Sequence, residues 1–202
     1  MSAPSASAGP GAPDGASRYR ALVVTASNRA AAGVYPDKGG PLIAEGLTAL
    51  GFAVDGPRVV PDGDPVEATL REAVAASYDV VVSTGGTGLT PMDSTPEATR
   101  RVLDYEIPGI AEAIRAEGLA KVPTAALSRG LAGVAGTTLI VNLPGSTGGV
   151  RDGLAVLGRL LVHAVDQIHG GDHPRPAGPA RPAGPADEAD AADAAGPAGS
   201  AS

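Results

Sequence analysis

Two aspartates fall where strand-like runs end, Asp62 in VVPDGDP and Asp93 in GLTPMDSTPEAT, at the same level as two glycine-rich segments, GGTG at 85–88 and PGSTGG at 144–149. Glycine lets backbone N–H groups approach an anion closely, and the N-terminus of a following helix adds partial positive charge. Carboxylate oxygens near phosphate suit Mg2+, which keeps several waters and takes only one or two protein carboxylates. The pattern therefore points to phosphate chemistry, and two such loops suit a polyphosphate or two phosphorylated ligands. Each piece alone also has a plainer use, because GGTG can be a tight strand-to-helix turn and either aspartate a solvated loop acid. Ser128, beside Arg129 in ALSRG, could bind an anion, although closing a turn is the commoner role of such a hydroxyl. Lys121 and Arg129 could simply face water.

Other chemistries find little support. GxxxxGK[ST] is absent, GxGxxG follows no strand-like run, and GxSxG does not occur. His163, His169 and His173 lie late in the last helical stretch or beyond it and read as a solvated face.

These residues need elements to hold them. RALVVTA at 20–26 and YDVVVST at 78–84 are short apolar runs of the kind buried on both faces of a sheet. Residues 52–60 are again strand-like. Leu42, Ile43, Leu47 and Leu50 recur at helical spacing until Gly51. A helix is predicted from Asp64 as N-cap, with Pro65 at its first position, Glu67 completing a capping box and pairing with Arg71. Thr95 is expected to cap a helix starting at Pro96, and a further helix spans about 109–118. AALSRGLAG and AGTTLIVNLPG read as two strands joined by a turn, and Val150, Leu154, Leu157, Leu161, Val165 and Ile168 form one stripe on a final helix. Alternating strands and helices predict an α/β fold with a parallel sheet, whose ligands sit at the carboxyl ends of the strands.

Composition narrows the setting. Residues 1–17 read as a disordered arm without the basic start or apolar stretch of a secretory signal, and the Pro/Ala/Gly-rich residues from 172 on, with a tandem of RPAGPA, read as a solvated tail. That leaves 18–171 as the domain. Its sixteen acids and thirteen bases form no basic stripe, and the chain has one Phe and no Trp, so nucleic-acid binding is not expected. With no cysteine and no apolar run of membrane-spanning length, a cytoplasmic, membrane-free setting is expected.

The ordered series TGGTG, TPMDSTPEAT, ALSRG and NLPGS, preceded by SNRAAAGVYPDKGG, closely resembles the Mog/MoaB molybdopterin adenylyltransferase family, which includes gephyrin-like domains. The likeness runs from about Arg20 to Ile168. It implies a three-layer α/β/α fold with a mostly parallel sheet and one antiparallel edge strand, formed where the LSR and NLPG segments pair. It also implies a homotrimer, ATP and molybdopterin as substrates, Mg2+, and a molybdate-inserting enzyme downstream. The implied reaction transfers AMP from ATP to the molybdopterin phosphate and releases pyrophosphate. By this resemblance Asp62 and Asp93 are the catalytic, metal-binding acids. Gly85, Gly86, Thr87 and Gly88 form the nucleotide loop, and Ser128, Asn142, Pro144 and Gly145 hold molybdopterin. Asn28 stands where the family often has Asp, Met92 where it often has Arg, and Gly118 where some members have a ligand-facing serine. A molybdopterin-binding protein with little or no transferase activity is the alternative.

Overall fold

Successive strand residues point to opposite faces, so a strand that is apolar throughout needs a helix layer on each side. The computed structural model, which describes residues 19–171, has that arrangement. In chain order its elements are β1 (Tyr19–Ala26), α1 (Asn28–Ala31), α2 (Gly39–Ala49), β2 (Phe52–Val60), α3 (Asp64–Ala75), β3 (Val80–Thr84), α4 (Thr95–Arg100), β4 (Tyr105–Glu106), α5 (Pro108–Leu119), β5 (Ala132–Ala135), β6 (Thr138–Leu143) and α6 (Thr147–Ile168). A 3-10 turn, Pro123–Leu127, precedes β5. The expected arm, the expected tail and His173 lie outside the described residues.

Six strands form one sheet in the order β2-β1-β3-β6-β5-β4, with β2, β1, β3 and β6 parallel. On one face Ala21, Val23, Val80 and Val82 pack with Ile43 and Leu47 of α2, Ile110 and Ile114 of α5, and Leu157 and Leu161 of α6. Alternate residues Leu22, Val24, Val81 and Ile140 meet Val66 and Leu70 of α3 and Ala98 of α4 on the other. The predicted α6 stripe is the interior face of that helix: Val150, Leu157, Leu161 and Val165 are buried, and Leu154 and Ile168 are packed against the core. Each fully buried leucine contributes about 1.5–3 kcal/mol, which fixes α6 across the sheet. The α6 start is secured by Ser146, whose Oγ accepts from the Gly149 amide at 3.1 Å.

The antiparallel part is a hairpin. β6 returns against β5 after a two-residue turn, and the two-residue β4 pairs antiparallel with β5 outside it. Pairing begins just after the LSR segment, which itself forms the end of the 3-10 turn and a short lead-in to β5.

Local reading fails at two helix starts, at one segment expected as strand and at one histidine. Gly63, at φ 93, is the α3 cap residue and its carbonyl accepts from the Val66 amide, while the Asp64 side chain is fully exposed. Glu67 does pair with Arg71, as its spacing predicts, and also with Arg101. At α4 the cap position belongs to Ser94, and the Thr95 hydroxyl instead donates to Asp62 Oδ1 at 3.2 Å. The Ala125–Leu127 stretch, expected as strand, is helical because the chain must turn there to lead Ser128 into β5. His169 pairs with Asp79 at 2.7 Å and stacks on Tyr19, so it is not a purely solvated side chain.

Candidate active site

Sheet register decides which loops meet. Thr25 stands level with Thr84, and Thr84 with Leu143, so the chain leaves β1, β3 and β6 along one line at the carboxyl rim. Because β5 runs the other way, its beginning reaches the same rim and brings Ser128 there. The loops touch closely. Gly85, at φ 93, sits so near β1 that an added Cβ would lie 2.1 Å from the Ala26 carbonyl oxygen. A Cβ on Gly145 would lie 3.2 Å from Gly85 Cα, and the Thr84 hydroxyl donates to the Pro144 carbonyl at 2.7 Å.

Two cavities open on either side of this junction. The first, about 660 Å3, is lined by carboxylates and cations including Asp37, Asp62, Asp93, Arg29 and Lys38. The second, about 780 Å3, has a more apolar wall with Ile114, Val122 and Leu127 beside Arg115, Lys121 and Asp152. Gly86, Asp93 and Gly145 line both. The two chambers therefore adjoin at one place, where two of the three shared residues are glycines.

The sequence-predicted residues divide between the chambers. Asp62 and Gly85 face the first; Thr87, Gly88, Ser128 and Pro144 face the second; Gly86, Asp93 and Gly145 face both. Asn142 is a correction. It is buried and lines neither cavity, because Nδ2 donates to the Ser83 and Thr99 hydroxyls at 2.9 and 3.0 Å while Oδ1 accepts from the Leu131 amide. Its amide group ties the lead-in of β5 and strand β6 to β3 and α4, away from both cavities.

Asp62 is anchored by one oxygen. Its Oδ1 accepts from the Gly63 and Ser94 amides and the Ser94 and Thr95 hydroxyls at 2.8–3.3 Å. Its Oδ2 takes none of these bonds and lies over Gly86, where an added Cβ would come within 2.0 Å. Asp93 uses Oδ2 to accept from the Thr90 amide at 2.9 Å and closes that turn on itself. Each carboxylate thus keeps an oxygen outside its structural bonds, and among the described residues no third acid or histidine joins them in a metal-binding cluster. Two hard oxygen donors with room for phosphate and water match the requirements of Mg2+. Nearby, Asn28 Oδ1 accepts from the Asp62 amide at 3.1 Å and ties the end of β1 to this loop.

Arg129 is half-buried and its guanidinium is engaged by the protein. Its Nε and Nη2 donate at 2.7 Å to the carbonyls of Gly88 and Asp93, Nη1 pairs with Glu97, and its amide donates to Thr87. One guanidinium thereby ties the glycine loop, the Asp93 turn and α4 to the β5 lead-in. Burial pushes the Glu97 carboxyl up, but its own backbone amide and Arg129 outweigh that and hold it below the usual glutamate range. Arg115 supports the same lead-in by donating to the Ser128 and Gly130 carbonyls. Ser128 Oγ accepts only a long bond from the Gly130 amide, 3.4 Å, and stays at the second cavity. Lys121 is paired with Asp152, whose hydrogen bond raises the lysine's pKa.

Sequence reasoning missed three contributors. Asp37 accepts from the Gly39 and Gly40 amides and from the Thr25 hydroxyl, fixing α2 beside the first cavity. An aspartate two residues before GGP was a readable cap signal. Arg115 and Asp152 carry no local signal, since their roles depend on partners 13 to 31 residues away.

The chain is similar to several known proteins. Residues 22–163 match the family described as the probable molybdopterin binding domain. The chain is 40% identical to the molybdopterin adenylyltransferase of Escherichia coli K12 over 152 residues, covering 71% of this chain and 77% of that protein. It is 36% identical over 156 residues to a molybdenum cofactor biosynthesis bifunctional protein of Chlorobaculum tepidum, covering 76% of this chain but only 50% of the relative's length. Among solved structures, the molybdopterin biosynthesis Mog protein from Mycobacterium ulcerans is 58% identical with a TM-score of 0.72, covering 74% of this chain and 99% of that one. No helix among the described residues is long and apolar enough to cross a membrane.

Proposed function

The chain belongs to the probable molybdopterin binding domain family, and from that premise we propose that it is a molybdopterin adenylyltransferase of molybdenum cofactor biosynthesis. The carrying observation is the pair of cavities that share Gly86, Asp93 and Gly145. Molybdopterin takes the more apolar chamber, which has surface for a pterin ring and Ser128 at its wall. ATP takes the first chamber, and the two phosphate ends meet at the junction.

In the reaction a molybdopterin phosphate oxygen attacks the α-phosphorus of ATP. An O–P bond forms, the α–β bridging bond breaks, and its electron pair leaves with pyrophosphate, so no covalent enzyme intermediate is needed. The protein's work is positioning and charge placement. Backbone amides of the glycines at 85, 86, 88 and 145 hydrogen-bond the phosphate oxygens. Asp62 and Asp93 would hold Mg2+, which supplies charge neutralisation on the phosphates. Arg29 and Lys38 add positive charge at the wall of the same chamber. Arg129 keeps the junction rigid through carbonyls and Glu97, leaving the amides turned to the ligands. The proposal includes assembly as a homotrimer and transfer of product to a molybdate-inserting enzyme, in keeping with the family resemblance and with the bifunctional relative's name.

Met92 favours a second reading, a molybdopterin-binding protein with little transferase activity. It lines the first chamber, is 65% exposed and offers the polyphosphate no charge. Incubation with molybdopterin, ATP and Mg2+ separates the two. Pyrophosphate release coupled to adenylyl-molybdopterin formation, lost in Asp62→Ala, is expected of the enzyme; tight molybdopterin binding without turnover would support the second reading instead.

A further inference from the structure

Asp152 lies in the second turn of α6, 8% exposed, yet lines the more apolar chamber. Its Oδ1 is taken by Lys121, which reaches across from the end of α5 and also approaches Glu117. Its Oδ2 has no hydrogen-bond partner among the described residues. That oxygen lies 3.7 Å from where a Cβ on Gly118 would stand, and Gly118 lines the same chamber. A Cβ there would also come within 2.8 Å of Ala125 Cβ, so glycine lets the end of α5 pack close to Ala125 beside a buried, half-used carboxylate. A carboxylate in such a position is an acceptor only, and leaving it unmatched when a ligand displaces water is costly.

We propose that Asp152 is a specificity-determining residue of this chamber, its Oδ2 accepting a hydrogen bond from the 2-amino group of the pterin ring. This rests on the pterin assignment of the chamber made above. The 2-amino-4-oxo pyrimidine edge carries N–H donors, which an acceptor-only group complements. A 2-oxo pteridine sets a carbonyl oxygen against the carboxylate in place of the amine. The site discriminates because the wrong edge leaves Oδ2 unpaired or opposed by another acceptor. Lys121 positions the carboxylate by holding Oδ1, and the carboxylate reaches the ring edge because Asp152 itself lines the chamber.

The test compares 6-hydroxymethylpterin phosphate with its 2-oxo counterpart, 6-hydroxymethyllumazine phosphate, by calorimetric titration of the full chain without ATP. Wild-type protein is expected to bind the pterin roughly 10- to 100-fold more tightly, the range of a hydrogen bond to a charged group. Asp152→Asn is expected to lose most of that preference while retaining lumazine binding. Equal affinity of the wild-type protein for both compounds overturns the assignment without any variant needing to fold, and an undiminished preference in Asp152→Asn overturns it too. In either case the chamber still binds a pteridine. Binding of neither compound would overturn the pterin reading of the chamber, and the role of Asp152 with it.

Discussion

Replacing Gly86 with alanine probes the junction of the two chambers directly. Gly86 has φ 61, and a Cβ there would lie 2.0 Å from Asp62 Oδ2 and 2.3 Å from Thr95 Oγ1. The left-handed backbone costs about 1–2 kcal/mol for a non-glycine residue. Restoring an ordinary contact distance of about 3.5 Å moves the carboxylate by about 1.5 Å. Asp62 is held through Oδ1 by four donors, so that movement breaks bonds from Ser94 or Thr95, at about 1–3 kcal/mol. The expected loss is about 2–5 kcal/mol in urea denaturation, with adenylyl transfer reduced by about 100-fold, the scale of a 1 Å misplacement. Gly88→Ala is the matched control. Its Cβ would meet Asp93 Oδ2 at 2.9 Å without a left-handed backbone, so a smaller loss is expected. Removing the obstructing carboxylate in an Asp62→Ala background should shrink the stability cost of Gly86→Ala. Equal stability of Gly86→Ala and Gly88→Ala, with full activity in both, would refute the reasoning.

Asn142→Ala should lower stability by about 2–4 kcal/mol in denaturant, since it strands the Ser83 and Thr99 hydroxyls and the Leu131 amide, while the molybdopterin KM changes little. Arg129→Gln should cost about 1–3 kcal/mol and loosen the glycine loop, visible as faster amide hydrogen exchange at Thr87 and Gly88. The stability gap between wild type and Glu97→Gln should depend on pH in a defined sense. Because the folded-state pKa of Glu97 is depressed, its contribution is fully present above the ordinary glutamate value of 4.5 and fades as pH falls through the lower folded value, as acid titration of the unfolding midpoint will record.

The strands were legible because their apolar runs leave no other use: Leu22, Val23 and Val24 must be covered on both sides, and the β3 run ends where the glycines begin. The helix stripe of α6 was legible for the same reason. Helix starts were not, because capping was decided across the chain. Asp64 has the better local spacing, yet Asp62 does the binding, since Ser94 and Thr95 arrive beside it from 32 and 33 residues away. Asn142 shows a second limit. Its place at a strand end suggests a ligand, but the period-two alternation and the partner register turn it toward Ser83 and Thr99. Lys121 reads as a residue that could face water and Asp152 carries no local signal; only the packing of α5 on α6 makes them a pair.

The reversed β5 makes its hairpin with β6 a ruler laid between the two loops of the second chamber. Ser128 stands beyond one arm and Pro144 beyond the other, and the turn after Ala135 sets their relative height. Each residue gained or lost in that distant bend would slide one arm by about 3.3 Å and turn its side chains to the opposite face. Hairpin length therefore sets how high Ser128 and Pro144 stand against each other at the wall of the second cavity.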